Sequence, residues 1–353
     1  MKNLVKRLGC VIVLSVVIPV LIGNNLIVSA SNLSDTTKMP VKVAVVVYNA
    51  EDLYMSEVIN DFKEIQKENE GKVEFTFFSS ELNKDLQERI IDSVLEQKYY
   101  NLLAVALVNE TSTAYEIVNK VKENNMPIVF FHRQPYDKQK EAIRSYEKGI
   151  YVGSDPADGG ILQGKLLIDL WNKNKRNIDK NGDNVMQYIM LKGLSTDLHE
   201  IERTKNSIPT VNRAGIKTQE LTSQFANWDK EQGRIAAELM FLKYGDKIEV
   251  IVSNNDAMAI GAIQTLQSYG YNKGDQEKTI TVIGVDGLPE AIDFINKGYM
   301  AGTVIQDAKG VTEAVYLCGM NLVYGRPPLQ GTPYKFDETG KSILFPYRIY
   351  LPS

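Results

Sequence analysis

The sequence predicts an α/β protein made of two doubly wound parallel sheets. Three observations carry this. From Val41 onward, short runs rich in Val, Ile and Leu alternate with stretches of helical period. The runs are apolar almost throughout, which marks strands covered on both faces, as in parallel sheets. There are also more runs than one sheet comfortably holds, so two domains are expected.

The first run, VKVAVVV (41–47), is followed by helical period over 56–68. VEFTFF (73–78) precedes a helix over about 82–97. LLAVAL (102–107), a helix near 113–124 and PIVFFH (127–132) continue the alternation. GGILQGKL opens an amphipathic stretch that passes Trp171 and ends near Arg176. VMQYIML (185–191), IEVIVS (248–253), TVIGVD (281–286) and GTVIQD (302–307) are each followed by a helical segment.

The 353 residues are 44% hydrophobic and 24% charged, which is enough for two packed cores and unlike a disordered or fibrous chain. Residues 1–30 read as a targeting segment. Lys2, Lys6 and Arg7 precede an apolar stretch from Leu8, and Val28-Ser29-Ala30 resembles a small-x-small cleavage site. The stretch 8–27 is also close to a minimal membrane span of roughly 20 residues, so a cleaved signal peptide and an uncleaved anchor both stay open. Removing the segment takes away three basic and no acidic side chains, moving the formal charge from −4 to −7. An acidic mature chain argues against nucleic acid as a partner. Cys10 precedes the apolar run instead of closing it, unlike a lipoprotein cysteine, and Cys318 is the only other cysteine, so no internal disulfide is expected in the mature chain. Residues 31–40 are polar and read as a flexible tether.

Ligands of doubly wound sheets bind beyond the carboxyl ends of the strands. Those ends offer Asp52, His132 with Arg133, Asp197, His199, Arg203, Asn255 with Asp256, Asp286, and Gln306 with Asp307. Any one Asp or Asn there suits a helix N-cap; the set together suits a polar cleft. Tyr54 and Trp228 also follow strand ends, where an aromatic packs in the core or covers the apolar face of a sugar ring.

Two motifs are incomplete. GGILQGKL has the glycine and lysine spacing of a P-loop, but Leu166 stands where a magnesium-binding Ser or Thr belongs. NIDKNGDNVMQ begins like an EF-hand, with Asp179, Asn181 and Asp183 at alternate positions, but position twelve is Met190 instead of Glu. Read alone, that stretch fits either a metal loop or a polar turn.

FFSSELNKDLQERIIDSVLEQ, YVGSDPADGGILQGKLLIDLWN, SNNDAMAIGA and GVDGLPEA followed by AGTVIQDA resemble the bacterial galactose/glucose-binding proteins, periplasmic binding proteins of type 1 that serve sugar ABC transporters and chemotaxis. The resemblance covers nearly all of residues 41–353. It implies two lobes joined by three hinge crossings, with residues 41–152 plus 308–339 in one and 153–307 plus 340–353 in the other. It also implies a monomer, not an enzyme, that closes on a monosaccharide, D-galactose or D-glucose, and delivers it outside the cytoplasm to an ABC permease. A membrane-anchored sensor that signals to a histidine kinase or chemoreceptor is the alternative. Asp52 matches a hydroxyl-binding aspartate of the family, Trp228 a ring-stacking tryptophan and Arg203 an arginine near the anomeric centre. Asn255 and Asp286 match hydroxyl-binding groups, and Tyr54 falls where the family has Phe. His132 stands for Asn, Asp197 for His, His199 for Asp and Gln306 for Asn, changes that alter which sugar a buried polar site accepts. The resemblance further implies a calcium site at Asp179, Asn181, Asp183, the Val185 carbonyl and Gln187, completed by Glu249 from a distant strand. Asn184 replaces the family's Gly at position six.

Overall fold

The computed structural model describes residues 39–352 except 137. The expected signal or anchor and nearly all of the tether lie outside these residues. Among the described residues, no helix is long and apolar enough to cross a membrane.

Twelve strands form two six-stranded sheets. The first holds β1 (Val41–Val47), β2 (Val73–Ser79), β3 (Leu102–Val105), β4 (Ile128–His132), β5 (Gly149–Gly153) and β11 (Ser342–Leu344), in the order β11-β5-β4-β3-β1-β2. The second holds β6 (Val185–Lys192), β7 (Lys217–Phe225), β8 (Val250–Ser253), β9 (Thr281–Asp286), β10 (Gly302–Ile305) and β12 (Arg348–Tyr350), in the order β12-β10-β9-β8-β6-β7. The helices are α1 (Leu53–Glu68), α2 (Lys84–Gln97), α3 (Ala114–Glu123), α4 (Gln139–Arg144), α5 (Pro156–Ile178), α6 (Leu198–Arg213), α7 (Lys230–Tyr244), α8 (Asp256–Ser268), α9 (Pro289–Asn296) and α10 (Ala308–Val323).

Both sheets are buried on both faces, which explains their unbroken apolar strands. In β1, Val43, Val45 and Val47 pack with Met55, Val58 and Phe62 of α1 and with Val315 and Cys318 of α10. Ala44 and Val46 face the opposite way, toward Ile91 and Val94 of α2 and Val118 of α3. In the second sheet Ile189, Leu191 and Ile251 pack with α7 and α8. Met190, Val252, Ile283 and Val304 pack with Leu166 and Leu167 of α5 and Val211 of α6. The glycines of the P-loop-like stretch serve this second packing: a Cβ on Gly164 would lie 2.5 Å from the Ser207 carbonyl oxygen of α6.

Four strands go beyond the sequence reading. β7 is a polar edge strand with no fully buried residue, so it carries no apolar run. β5 is buried but only five residues long. β11 and β12 have three each. β11 pairs parallel with β5, so the chain stays with the first sheet past residue 340, where the crossing was expected, and leaves it only after Leu344. β12 then runs antiparallel to β10, the one departure from parallel pairing. The reason is geometric. The other strands of both sheets run toward the space between them, so a chain that enters the second sheet from that space runs against its neighbours. The other two crossings lie between β5 and α5 and between β10 and α10.

Candidate functional site

The carboxyl ends of the two sheets face each other across a small cavity. Nine of the ten expected ligand residues line it, all but Gln306, together with Tyr48 and Arg133.

The first sheet supplies an aromatic and basic wall. Asp52 caps α1, its Oδ1 accepting from the Met55 N–H at 2.9 Å. Tyr54, two residues on, is buried, and its hydroxyl has no hydrogen-bond partner. His132 closes β4 with a left-handed φ of 59°, a conformation that non-glycine residues keep only where packing holds them. Its ring lies 4.9 Å from that of Tyr54 and 5.7 Å from that of Tyr48.

The second sheet supplies most of the polar groups. Asp197 caps α6 by accepting from the His199 N–H at 2.8 Å. Its other oxygen accepts from the Trp228 indole at 3.0 Å and from Arg133 at 2.5 Å. Asp197 therefore lines the cavity with both oxygens already engaged. The Arg203 guanidinium donates to the Asn254 carbonyl at 2.7 Å and to Gln306 Oε1 at 2.9 Å, and lies 3.6 Å from Asp286. Its Nε has no partner. Asn255 caps α8 and donates to the Trp228 carbonyl at 3.0 Å. Trp228 and Asp286 both have positive φ, 66° and 129°. Trp228 sits where only glycine fits opposite: a Cβ on Gly193 would lie 2.0 Å from its ring. Gln306 stands beside the cavity and joins the walls, with Nε2 2.8 Å from His132 Nδ1.

The electrostatics follow from burial. Burial lifts Asp286 well above the ordinary carboxylate range, against the pull of Arg203. It raises Asp52 as well, although the cap bond to Met55 and the charge of Arg133 draw it back. Burial also opposes ionisation of Asp197, but Arg133 and His199 outweigh it and hold that carboxyl far below its usual range. His132 and His199 stack across the cavity with ring centroids 4.7 Å apart. Both are pushed below the ordinary imidazole value, first by burial; for His132 the charge of His199 and the two arginines add to this. Neither ring nitrogen of His199 has a hydrogen-bond partner, and Nδ1 lies 3.6 Å from Asp197 Oδ1. The cavity thus offers carboxylate acceptors, an unpaired guanidinium N–H, an unpaired hydroxyl and flat aromatic faces. That set suits a small, neutral, polyhydroxylated ring.

Sequence reasoning passed over Tyr48, Glu110 and Tyr347, and named Arg133 without giving it a role. Tyr48 and Glu110 follow the ends of β1 and β3, so the strand-end rule would have found both. Tyr347 lies in the last crossing and reaches Arg203 at 3.5 Å, a contact no local pattern signals. Glu110, Asp197 and His199 present ligand atoms all within 4.8 Å of one another. The guanidinium of Arg133 already supplies the positive charge there.

The expected calcium residues gather at the far end of the second sheet. Asp179 ends α5, and its buried Oδ1 has no hydrogen-bond partner. Glu249 accepts from the Lys180 N–H at 2.8 Å and the Gln187 N–H at 3.0 Å, tying the loop to the approach of β8. Burial raises its carboxyl, and the charge of Asp179 adds to this. Asp183 accepts from the Asn181 side chain at 3.1 Å and the Gln187 side chain at 2.8 Å. Rotating those two amides would turn their oxygens inward instead. Asn184 takes a φ of 62°, the turn its position requires. An unpartnered carboxylate oxygen beside a second carboxylate, among amide oxygens, fits a hard cation.

Residues 43–327 match the periplasmic binding protein domain family. The chain is 34% identical over 310 residues to the D-galactose/methyl-galactoside binding periplasmic protein MglB of Haemophilus influenzae, over 87% of this chain and 88% of that protein. It is 28% identical over 217 residues to the ribose import binding protein RbsB of Escherichia coli, over 60% of this chain and 64% of that one. An ABC transporter solute binding protein from Bacillus halodurans, solved with bound myo-inositol, superposes with a TM-score of 0.70 at 23% identity, covering 90% of this chain and 96% of that one. Another, from Actinobacillus succinogenes with bound D-allose, gives a TM-score of 0.71 at 19% identity, covering 88% and 97%. At these identities the structural likeness is one of fold.

Proposed function

The chain belongs to the periplasmic binding protein family, and we propose that it is an extracytoplasmic receptor for a monosaccharide, D-galactose or D-glucose, which it delivers to an ABC importer. The observation that carries this reading is the lining of the cavity: carboxylates, arginines and aromatic faces that the carboxyl ends of both sheets bring together. In it Asp52 and Asp286 accept from sugar hydroxyls. The free Nε–H of Arg203 donates, and Trp228 and Tyr54 cover the C–H faces of the ring. Asn255 and Gln306 hold Trp228, His132 and Arg203 in place. The relative at 34% identity, named for D-galactose, supports the first of these sugars. A thermal-shift screen against monosaccharides tests the reading. A higher melting temperature with galactose or glucose is expected, and no shift with any sugar would overturn it.

The apolar stretch 8–27 favours a second reading of the cellular role, a sugar sensor held at the membrane. N-terminal sequencing of the mature protein separates the two: a start at Ser31 supports a free receptor, and an intact Met1 supports an anchor.

The calcium loop belongs to the same proposal. Asp179, Asn181, Asp183, the Val185 carbonyl, Gln187 and Glu249 would hold the ion. It would supply charge neutralisation and a cross-link between loop and sheet, remote from the sugar.

A further inference from the structure

Arg133 projects from the end of β4 in the first sheet, yet its charge partner belongs to the second. Its guanidinium lies 3.8 Å from the centre of the Tyr48 ring, and Nη1 faces the carbonyls of Leu107 and Val108 at 3.4 and 3.3 Å. These contacts aim Nη2 across the cleft to Asp197 at 2.5 Å, where both side chains are 3% exposed. The same Asp197 oxygen accepts from the Trp228 indole at 3.0 Å. Glu110 backs the pair from the end of β3, with Oε1 3.9 Å from Arg133 Nε.

We propose that Arg133 and Asp197 form a clasp between the two sheets, which populates the closed form before any ligand arrives and fixes Trp228 over the cavity. Arg133 is thus a positioning residue. The inference rests on reading the cavity as a ligand cleft between two lobes that open and close. The physical ground is the asymmetry of a buried ion pair. Together the two charges satisfy each other; with one removed, the other is sealed away unpaired, at a large cost. Opening rehydrates both. Losing Arg133 alone therefore drives the cleft open, and removing both charges relieves much of that drive. Two other contacts across the cleft, the His132–His199 stack and the His132–Gln306 bond, involve neutral groups and hold it less firmly, and Glu110 faces the Leu198 N–H of α6 and the like charge of Asp197. Ligand then enters only through the open fraction, which slows association in proportion.

The test is a double-mutant cycle on the full ligand-free protein with Arg133→Gln, Asp197→Asn and the pair. Small-angle scattering reads closure, and acrylamide quenching reads exposure of Trp228. Trp171, the only other tryptophan, is buried in α5 and common to all four proteins. Arg133→Gln should enlarge the radius of gyration and raise quenching. The double variant should change less than the sum of the single ones. Arg133→Lys, which keeps the charge, should restore most of the closed form; if Arg133→Gln does not melt cooperatively, Asp197→Asn, which breaks the same pair from the other side, replaces it and should likewise open the cleft. An open wild type that Arg133→Gln leaves unchanged, or strictly additive effects, would overturn the clasp. A clasp that couples as described in a protein that binds no monosaccharide would overturn the sugar reading alone.

Discussion

At Asp197 one carboxylate caps a helix, pairs with Arg133 and holds the Trp228 indole. Asp52 and Asn255 likewise cap helices while they face the cavity. Cap and ligand group are therefore not exclusive alternatives: a doubly wound fold starts its helices where ligands of such folds bind, so one side chain can cap a helix and face the cavity. This is why the sequence made most of the site legible. What it left dark is how such groups are partnered. Asp256, buried in α8, accepts from the Gly287 and Leu288 N–H groups at 2.7 and 2.9 Å and so shapes the turn behind Asp286. Such partners are set by packing, not by spacing. Two predictions belong to this scale. Trp228→Ala should weaken sugar binding by roughly thirtyfold, about 2 kcal/mol, and Gly193→Ala, which pushes a methyl into the Trp228 ring, should follow it in direction. Affinity by calorimetric titration checks both.

His132 gives the second prediction, through pH. Burial, His199 and the arginines lower its pKa in the closed form, whereas a solvated imidazole titrates near 6.5. Its contribution to closure is therefore full above about pH 6.5 and is lost as the pH falls. Glu110, pushed up to about 7 by burial and by the charge of Asp197, works the other way, as do the raised carboxyls of Asp52 and Asp286. The ratio of wild-type to His132→Asn Kd isolates the histidine. It should rise by up to roughly tenfold per pH unit below 6.5; a flat ratio from pH 7.5 to 5 would contradict the assignment. Asn tolerates the left-handed backbone at this position, which makes the variant a mild one.

At the scale of elements, legibility followed burial. The longer two-sided strands announced themselves because they are largely apolar. β7 did not, because an edge strand facing solvent has no such run. β11 and β12 are three residues long and are defined by the sheets that receive them. The loop after α5 shows the other limit. Its alternating Asp179, Asn181 and Asp183 were visible, but no local pattern links them to Glu249, which the fold brings to the Lys180 and Gln187 amides. If a cation completes this junction, chelation should lower the melting temperature, since a ligand at a hundredfold excess over its Kd stabilises by about 2.7 kcal/mol. Glu249→Ala should melt earlier and lose its response to chelator. An unchanged melting curve in wild type would reduce the loop to a turn.

At the scale of the whole molecule, two sheets point their carboxyl ends at each other, and three crossings pass between them. Opposed strand ends collect polar groups from distant parts of the chain into one small, nearly sealed space. Burying charge there is tolerable only if each group finds a partner in the protein or the ligand. Asp197 and Arg133 have found theirs within the chain. The unpaired atoms of Arg203, Tyr54 and His199 have not, and they define what the ligand must supply. Hydroxyl groups, which both donate and accept, meet that need without adding charge. Calorimetric titration with D-galactose and D-glucose, on wild type and on Asp286→Ala, is the most direct test. Saturable one-to-one binding of either sugar, lost or weakened at least tenfold in the variant, is the expected result. No heat with either sugar, or equal binding by both proteins, would contradict the account.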